Sequence, residues 1–277
     1  MTTMIDGQAL AAETLKKLAG EVQGLSKTFQ LAGVLLGDSP SSKKFLDLKK
    51  KAAQEIGLDF EIYSFSEKIS LPELSKDLWK MSQRPSVAGI IIELPLPLHL
   101  ETQRILNLIP PEKDPDILSA QAQGDFFVGQ SKILPPAVEA VKMILEKYDL
   151  SVRGKNCAVF GYGLLVGRPL SHWLASQGAT VSIINEFTAD PGAIASSADI
   201  LITGVGQPGL VSGKMVKTGA VVIDFGYENK DGRIRGDVNF EEASRQAAFI
   251  TPVPGGVGPL VVAAVLKNCL ILASQNN

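Results

Sequence analysis

The segment running from Cys157 to Ile184 restricts this chain more than any other. A short β-rich run over 157–160 passes directly into Gly161-Tyr162-Gly163-Leu164-Leu165-Val166-Gly167-Arg168-Pro169, then into a helical run that stops at Gly178, then into a second β-rich run over 181–184. Strand, glycine turn, helix, strand is the order of a βαβ unit, whose two strands must pair in parallel. The first glycines of such a unit allow a tight turn and the close approach of a pyrophosphate, while the helix amino terminus offers backbone N–H groups and the positive end of its dipole. The spacing is GxGxxxG, one residue longer than the commonest dinucleotide fingerprint. Glycines alone decide little at that spacing; the flanking strand and helix turn Gly161, Gly163 and Gly167 into a dinucleotide-binding expectation. The second strand ends at Asn185-Glu186, 25 residues beyond Gly161. Glu186 has two readings there, an acceptor for the adenosine ribose hydroxyls or a solvated strand end.

The same alternation of β-rich runs and helical patterns occurs twice along the 277 residues, which assigns the chain to the α/β class with mostly parallel sheets. The first series predicts a helix over 11–22, a strand over 31–36, a helix over 41–56, a strand over 60–65, a helix over 71–81 and a strand over 88–92. The second predicts strands over 157–160, 181–184, 200–203 and 221–224. Proline turns at Ile109-Pro110-Pro111 and Leu134-Pro135-Pro136, followed by a helical pattern over 137–148, mark a join. The expected division is a parallel-sheet α/β domain over 1–136 and a Rossmann-like domain over 137–256.

A formal net charge of −2 with 20% charged residues gives no basic surface for nucleic acid, so a small molecule is the expected partner. Cys157 and Cys269 are the only cysteines, and His99 and His172 the only histidines. None stands at a ligand spacing, so no metal centre is expected. The amino terminus lacks a basic-then-apolar pattern, and the apolar runs are expected to fall short of a bilayer span; a soluble, cytoplasmic protein with no membrane partner is the resulting expectation.

Two further features bear on chemistry. On the helix over 41–56, counting about 100° per residue from Phe45 puts Leu46, Leu48, Lys49, Ala52, Ala53 and Ile56 on one face and Lys43, Lys44, Asp47, Lys50 and Lys51 on the other. Lys49 is the one lysine inside the apolar stripe. It either snorkels to water or serves as an amine suited by burial to proton transfer. The run Val87-Ala88-Gly89-Ile90-Ile91-Ile92 reads as a buried parallel strand, and Glu93-Leu94-Pro95-Leu96-Pro97 follows at its carboxyl end, where open α/β sheets place their ligands. Lys113-Asp114-Pro115-Asp116 reads as a turn or as a second acidic site. Thr251-Pro252-Val253-Pro254-Gly255-Gly256-Val257-Gly258-Pro259 packs three glycines and three prolines into nine positions, a stiff loop with thin walls that serves either as a plain turn or to bring backbone against a flat ligand.

In this order along the whole chain, from Ile5-Asp6-Gly7 onward, these motifs resemble the bifunctional methylenetetrahydrofolate dehydrogenase/methenyltetrahydrofolate cyclohydrolase family. Thr251 to Pro259 is similar to that family's loop against the pterin, and Gly161 to Pro169 to its nicotinamide loop. Gly37-Asp38-Ser39-Pro40-Ser41-Ser42 followed by Lys49, Leu94-Pro95-Leu96-Pro97, Lys113-Asp114-Pro115-Asp116 and Gly236-Asp237-Val238 fall in the family's order. The resemblance implies two α/β domains with a cleft between them, a carboxyl-terminal helix over 257–277 that completes the first domain, and a homodimer. It implies a tetrahydrofolate substrate and NAD or NADP. Lys49 would be the lysine of the hydrolytic step, with Glu93 beside it, and Asp116 the carboxylate that holds the pterin. Phe45, Leu94, Pro95, Pro254, Gly255, Gly256, Gly258 and Pro259 would line the folate site. Gly161, Tyr162, Gly163, Val166, Gly167, Glu186, Gly204, Gly206 and Tyr227 would line the cofactor site, with Glu186 arguing for NAD because a 2′-phosphate would meet its charge.

The chain departs from the family pattern at several of these positions. Phe45 stands for a tyrosine, Glu93 for a glutamine, Pro115 and Ile117 for the valine and glycine of a Lys-Asp-Val-Asp-Gly loop, and Pro135-Pro136-Ala137-Val138-Glu139-Ala140 for a more polar segment. Tyr162-Gly163 replaces an Arg-Ser pair. The activity implied is oxidation of 5,10-methylenetetrahydrofolate followed by hydrolysis of the methenyl product. The departures keep open a folate- or nucleotide-binding paralogue without turnover, and fold alone keeps open a dehydrogenase for another small substrate.

Overall fold

The computed structural model describes residues 2–25, 27–230 and 232–275. In chain order its strands are β1 (Thr3–Met4), β2 (Gln30–Leu36), β3 (Asp59–Phe65), β4 (Val87–Ile92), β5 (Asn156–Phe160), β6 (Thr180–Ile184), β7 (Ile200–Thr203), β8 (Val221–Asp224), β9 (Glu228–Lys230), β10 (Arg233–Arg235) and β11 (Phe249–Ile250). Its helices are α1 (Gly7–Gln23), α2 (Pro40–Glu55), α3 (Leu71–Ser82), α4 (Thr102–Leu106), α5 (Ala120–Phe127), α6 (Pro136–Lys147), α7 (Gly167–Ser176), α8 (Pro191–Ser197), α9 (Phe240–Ala243) and α10 (Val257–Gln275). The chain divides into two compact units, Met1–Ala11 with Ala137–Val261 and Ala12–Pro136 with Val262–Asn277.

In the second of these units β2 lies between β3 and β4, all parallel. β4 is buried along its full length, as an apolar strand covered on both faces must be. Helix α2 begins where Ser39 accepts a hydrogen bond from the Ser42 N–H with Pro40 in the first turn, and α3 begins at a reciprocal capping box of Ser70 and Glu73. Leu46, Ala52 and Ala53 of α2 meet Leu31 and Leu35 of β2, Phe60 of β3, Ile91 of β4 and Val265, Leu266, Cys269 and Leu270 of α10 in one core. Each large aliphatic side chain buried this way contributes roughly 1.5–3 kcal/mol relative to exposure.

The other unit is a six-stranded sheet in the order β1-β11-β8-β7-β5-β6, parallel throughout. The chain passes from β5 to β6 on one side and then returns to β7 on the other side of β5. Such a reversal opens a crevice outside the carboxyl ends of the strands, which is where doubly wound sheets take ligands. Gly161 and Gly204 follow β5 and β7 at that edge.

Apart from the first helix and the helical run expected to stop at Gly178, which ends at Ser176, the expected elements agree with the observed ones to within a residue, and the last two residues of the helix expected over 257–277 lie outside the described residues. Helix α1 starts at Gly7 rather than 11 because Asp6 Oδ1 accepts from the Ala9 N–H at 2.8 Å and caps an extra turn. Four expectations need correction. Leu48 is 46% exposed, so the buried arc of α2 is narrower than the helical count implied. Residues 1–11 group with the six-stranded unit and not with 12–136, because β1 pairs in parallel with β11 and Ile5 is fully buried. The start of α10 likewise belongs to the six-stranded unit, which runs to Val261 rather than ending at 256. The apolar window Val257–Ser274 is, by length and composition, long enough to cross a bilayer; it is a core helix, with Val265, Leu266, Cys269 and Leu270 buried against the three-stranded sheet. Strands of two or three residues such as β1, β11 and the β9–β10 hairpin went unexpected, being too short to carry a period of two.

Ile117 departs from ordinary backbone. It holds φ at 56°, the left-handed region that a β-branched residue strongly disfavours, while its side chain is 3% exposed among Ala122, Ile133 and Leu272. Burial outweighs strain at this position. The strain is about 1–2 kcal/mol, against about 2–5 kcal/mol for emptying a buried isoleucine site. Ile117→Gly is therefore expected to lose about 1–3 kcal/mol net in a denaturant titration, and a variant more stable than the parent would show that the backbone cost dominates.

Candidate active site

In the three-stranded unit the chemistry gathers at the carboxyl end of β4. Glu93 follows the last residue of β4, its N–H donating to Val34 O at 3.0 Å and extending the pairing with β2 by one bond. Its carboxylate reaches Lys49 in the middle of α2, with Nζ to Oε2 at 2.7 Å and side chains only 13% and 10% exposed. The lysine singled out by its place on the apolar stripe thus has a specific anionic partner and does not snorkel. Asp116 senses both groups. Burial pushes its carboxyl up to about 6 against the pull of the Lys49 ammonium, and the charges of Asp114 and Glu93 add to the rise. Three ionisable groups therefore share one water-poor region, with one positive charge against two carboxyls.

The neighbouring residues hold this arrangement in place. Asp114 is buried and accepts from the backbone N–H groups of Leu118 and Ser119 at 2.9 and 2.7 Å, a turn-forming role. Lys113 Nζ donates to the carbonyls of Ser82 and Arg84. Asn268 of α10 donates from Nδ2 to Pro115 O and Leu134 O, both at 2.8 Å, fixing the segment that carries Asp116. Phe45 lies half-buried one turn before Lys49, and Glu93 is followed by half-buried Leu94 and exposed Pro95, which are joined by a cis peptide bond. Cys269 is buried and burial raises its thiol well above the ordinary range, so it is inert packing.

In the six-stranded unit the glycine turn follows β5. Gly161 holds φ at 85° and donates its N–H to Ile184 O at 2.8 Å, tying the turn to the end of β6 two residues before Glu186, which is exposed. Gly167 lies against the Gly161 carbonyl with no room for a Cβ, whereas a Cβ on Gly163 would enter open space. No side chain caps α7 at Val166. An uncapped helix amino terminus facing a glycine turn suits a pyrophosphate, and the residues present fit a bound dinucleotide. Gly204 packs against Val166, and Gly206, with φ at 77°, lies near the carbonyl of half-buried Tyr227. The Arg168 guanidinium stands 5.5 Å from the Tyr162 ring centroid and donates from Nε to Tyr162 O at 3.0 Å. A cation is therefore present at this turn although Tyr162 itself carries none.

The proline–glycine loop belongs to this same unit. It begins at buried Thr251, contains a cis bond at Val253–Pro254, and turns at Gly255 with φ at 97°. Gly255 O accepts from the Gln8 N–H at 3.1 Å, and Gly256 leaves space for nothing larger than glycine at position 7. Gly258 is open and Pro259 half-buried at the start of α10. One group of residues had drawn attention only by order along the chain or not at all: Thr203, Asp224 and Asp237, buried at the carboxyl ends of β7 and β8 and in the loop before α9. Thr203 donates to the Asp237 carboxylate, and most of the other partners of the two aspartates are backbone N–H groups distant in sequence, which no spacing reveals.

The fold and its two sites define a dinucleotide-binding α/β protein whose other unit carries a buried, charged small-molecule site. The model of the tetrahydrofolate dehydrogenase/cyclohydrolase catalytic domain matches residues 5–116, and that of the NAD(P)-binding domain of the same enzymes matches residues 135–277. The chain is 38% identical over 278 residues to the bifunctional protein FolD of Nautilia profundicola, covering 99% of this chain and 98% of that protein. The crystal structure of the bifunctional enzyme FolD, methylenetetrahydrofolate dehydrogenase/cyclohydrolase, from Campylobacter jejuni superposes with a TM-score of 0.97 at 35% identity, covering 100% of both chains. That of the Trypanosoma brucei enzyme complexed with NADP and inhibitor gives 0.94 at 33% identity, covering 99% of this chain and 98% of that one. This chain belongs to the tetrahydrofolate dehydrogenase/cyclohydrolase family.

The elevated Asp116 carboxyl has a consequence for stability. Its folded value of about 6 lies above the ordinary 3.8, so the folded state retains the proton more tightly than the unfolded chain does. The stabilising contribution of the protonated form is complete below pH 4 and is lost as pH rises through 6. Asp116→Asn should therefore be more stable than the parent at pH 8, by on the order of 1–3 kcal/mol, and equal to it near pH 4. Denaturant midpoints at the two pH values measure this, and a pH-independent difference would remove burial as the cause.

Proposed function

We propose that this protein oxidises 5,10-methylenetetrahydrofolate to 5,10-methenyltetrahydrofolate with a nicotinamide dinucleotide and hydrolyses the product to 10-formyltetrahydrofolate. The observation that carries the reading is the Lys49–Glu93–Asp116 group, at the carboxyl end of β4 in the unit matched as the catalytic domain. A bound nicotinamide supplies the hydride acceptor, and the protein positions the reactants around it. Gly161, Gly163 and Gly167 receive the pyrophosphate; Gly204, Gly206, Val166, Tyr162 and Tyr227 line the cofactor; Pro254, Gly255, Gly256, Gly258 and Pro259 let the pterin approach bare backbone. Phe45, Leu94 and Pro95 give the folate apolar contact, and Asp116 accepts from the pterin ring. The same reading includes a cytoplasmic homodimer. Purified protein incubated with methylenetetrahydrofolate and either NAD or NADP, with reduced nicotinamide and methenyl absorbance followed together, tests it; no reduced nicotinamide with either cofactor would overturn it.

Lys49 handles the proton and water chemistry of hydrolysis, and its ion pair sets the balance of the two half-reactions. The Glu93 carboxylate holds Nζ in an ion pair at 2.7 Å, and any contact of Nζ with water or substrate during hydrolysis competes with that pair. Hydride removal develops positive charge on the folate, which a fixed negative group in a water-poor site favours. Lys49→Met is expected to lower hydrolysis roughly 10²–10⁴-fold with dinucleotide binding intact. Glu93→Gln is expected to raise the ratio of hydrolysis to oxidation; both rates measured for the two proteins decide it, and an unchanged ratio excludes the Glu93 ion pair as the controlling feature.

The preferred cofactor is NAD. Glu186 occupies the turn after β6, where the adenosine ribose hydroxyls of a bound dinucleotide are received and a 2′-phosphate would meet a like charge. Arg168 beside Tyr162 is the opposing feature, a guanidinium available to a phosphate. Glu186→Ser should shift the ratio of kcat/KM values toward NADP, and a parent protein that uses NADP as well as NAD would assign the choice to Arg168.

A further inference from the structure

We infer that Asp224 and Asp237 are positioning residues for the dinucleotide, a two-carboxylate brace that holds loop 204–207 as the floor of the glycine turn. The inference rests on the dinucleotide reading of that turn and goes beyond it, since neither aspartate lies among the residues expected to touch the cofactor.

The two side chains are 2% and 0% exposed, and their oxygens accept from backbone N–H groups and one hydroxyl. Asp237 Oδ2 accepts from Thr203 Oγ1 and from the Val205 N–H, and Oδ1 from the Gln207 N–H, each at 2.7 Å. Asp237 therefore fixes three points along the strand end and loop that follow β7. Asp224 Oδ1 accepts from the Gly226 N–H at 2.7 Å and the Asp237 N–H at 3.2 Å, and Oδ2 from the Val238 N–H at 3.0 Å. Asp224 in this way fixes Asp237. Hydrogen bonds to a charged acceptor are about twice as strong as neutral ones and are directional, which suits them to hold a loop that lacks side-chain packing.

The braced loop touches the glycine turn. Phe160 of β5, Thr203 of β7 and Asp224 of β8 stand in register across the sheet, so Gly161, Gly204 and Phe225 leave it side by side. A Cβ on Gly204 would stand 2.9 Å from Val166, the residue before α7, and one on Gly161 would stand 3.2 Å from Val205. Movement of 204–205 therefore moves the turn and the amino terminus of α7. Gly226 and Gly236 have no room for a Cβ because Asp237 and Asp224 fill that space, so the backbone is built around the carboxylates. Burial with a second carboxylate nearby is unfavourable for the charge, and it pushes Asp224 up to about 6, a cost that an apolar pair at the same positions would avoid.

Three variants test the brace: Asp237→Asn, Thr203→Val, which keeps the shape of a fully buried side chain and deletes one donor, and Thr203→Ser, which restores it. Dinucleotide dissociation constants are measured directly with NAD and with NADP, together with kcat, KM and the thermal midpoint. Asp237→Asn and Thr203→Val are expected to weaken dinucleotide binding about tenfold with kcat at saturating dinucleotide within about twofold, while Thr203→Ser binds like the parent. Should Asp237→Asn fail to fold, the Thr203 pair decides. Parental affinity in Thr203→Val, or equal loss in the valine and serine variants, overturns the brace. A parent protein that binds neither NAD nor NADP overturns the dinucleotide reading and the brace with it, a result distinct from a binding parent with unaffected variants.

Discussion

Every strand pairing in the two larger sheets is parallel, and from this constraint the rest of the molecule follows. Parallel neighbours cannot be joined by a tight turn, so the chain must return across a sheet face, mostly as a helix, and strands β2, β4, β5, β7 and β8 become largely apolar and buried. All loops that follow the strands of one sheet then emerge at the same edge. Glu93 follows β4, Gly161 follows β5, Gly204 follows β7 and Thr251 follows β11, and each of these positions belongs to one of the proposed sites or opens the loop that carries it. The fold gathers distant segments without needing any of them to be near in sequence.

Five carboxyl groups wholly or partly withdrawn from solvent are accommodated in three ways. Glu93 has a cation within hydrogen-bonding distance. Asp224, Asp237 and Asp114 have backbone N–H donors, which satisfy their oxygens at the expense of fixing the loop that supplies them. Asp116 answers burial by holding its proton up to about 6. The first arrangement pairs the charge, the second sets shape, and the third leaves a group that changes charge near neutral pH.

Much of this was legible in the residues and some of it was not, for identifiable reasons. The continuous apolar run of β4 and the glycine turn after β5 announce themselves, because burial on both faces and close backbone approach each demand particular residue types over several consecutive positions. Lys49 was visible as the single cation on an apolar stripe, yet Leu48 on the same stripe is exposed, since an angular count does not know how wide the covering sheet is. The braces around Asp224 and Asp237 left no pattern, because their partners are main-chain groups that every residue but proline possesses. The two-residue strand β1 was missed for a related reason: its pairing with β11 is decided by a sheet edge assembled from the far end of the chain.

Helix α10 and the opening segment bear on how the molecule is made. Residues 262–275 complete the core of the three-stranded unit and supply Asn268, which holds the segment carrying Asp116, but they are synthesised only after the whole six-stranded unit. Strand β1 has no partner to join until β11, far later in the chain, has been made. The three-stranded unit therefore cannot complete its core until the chain has passed through the whole six-stranded unit, so folding of the two units one after the other in chain order is closed to this topology. A break at 136/137 would yield two fragments that each lack a strand or a helix of their own unit.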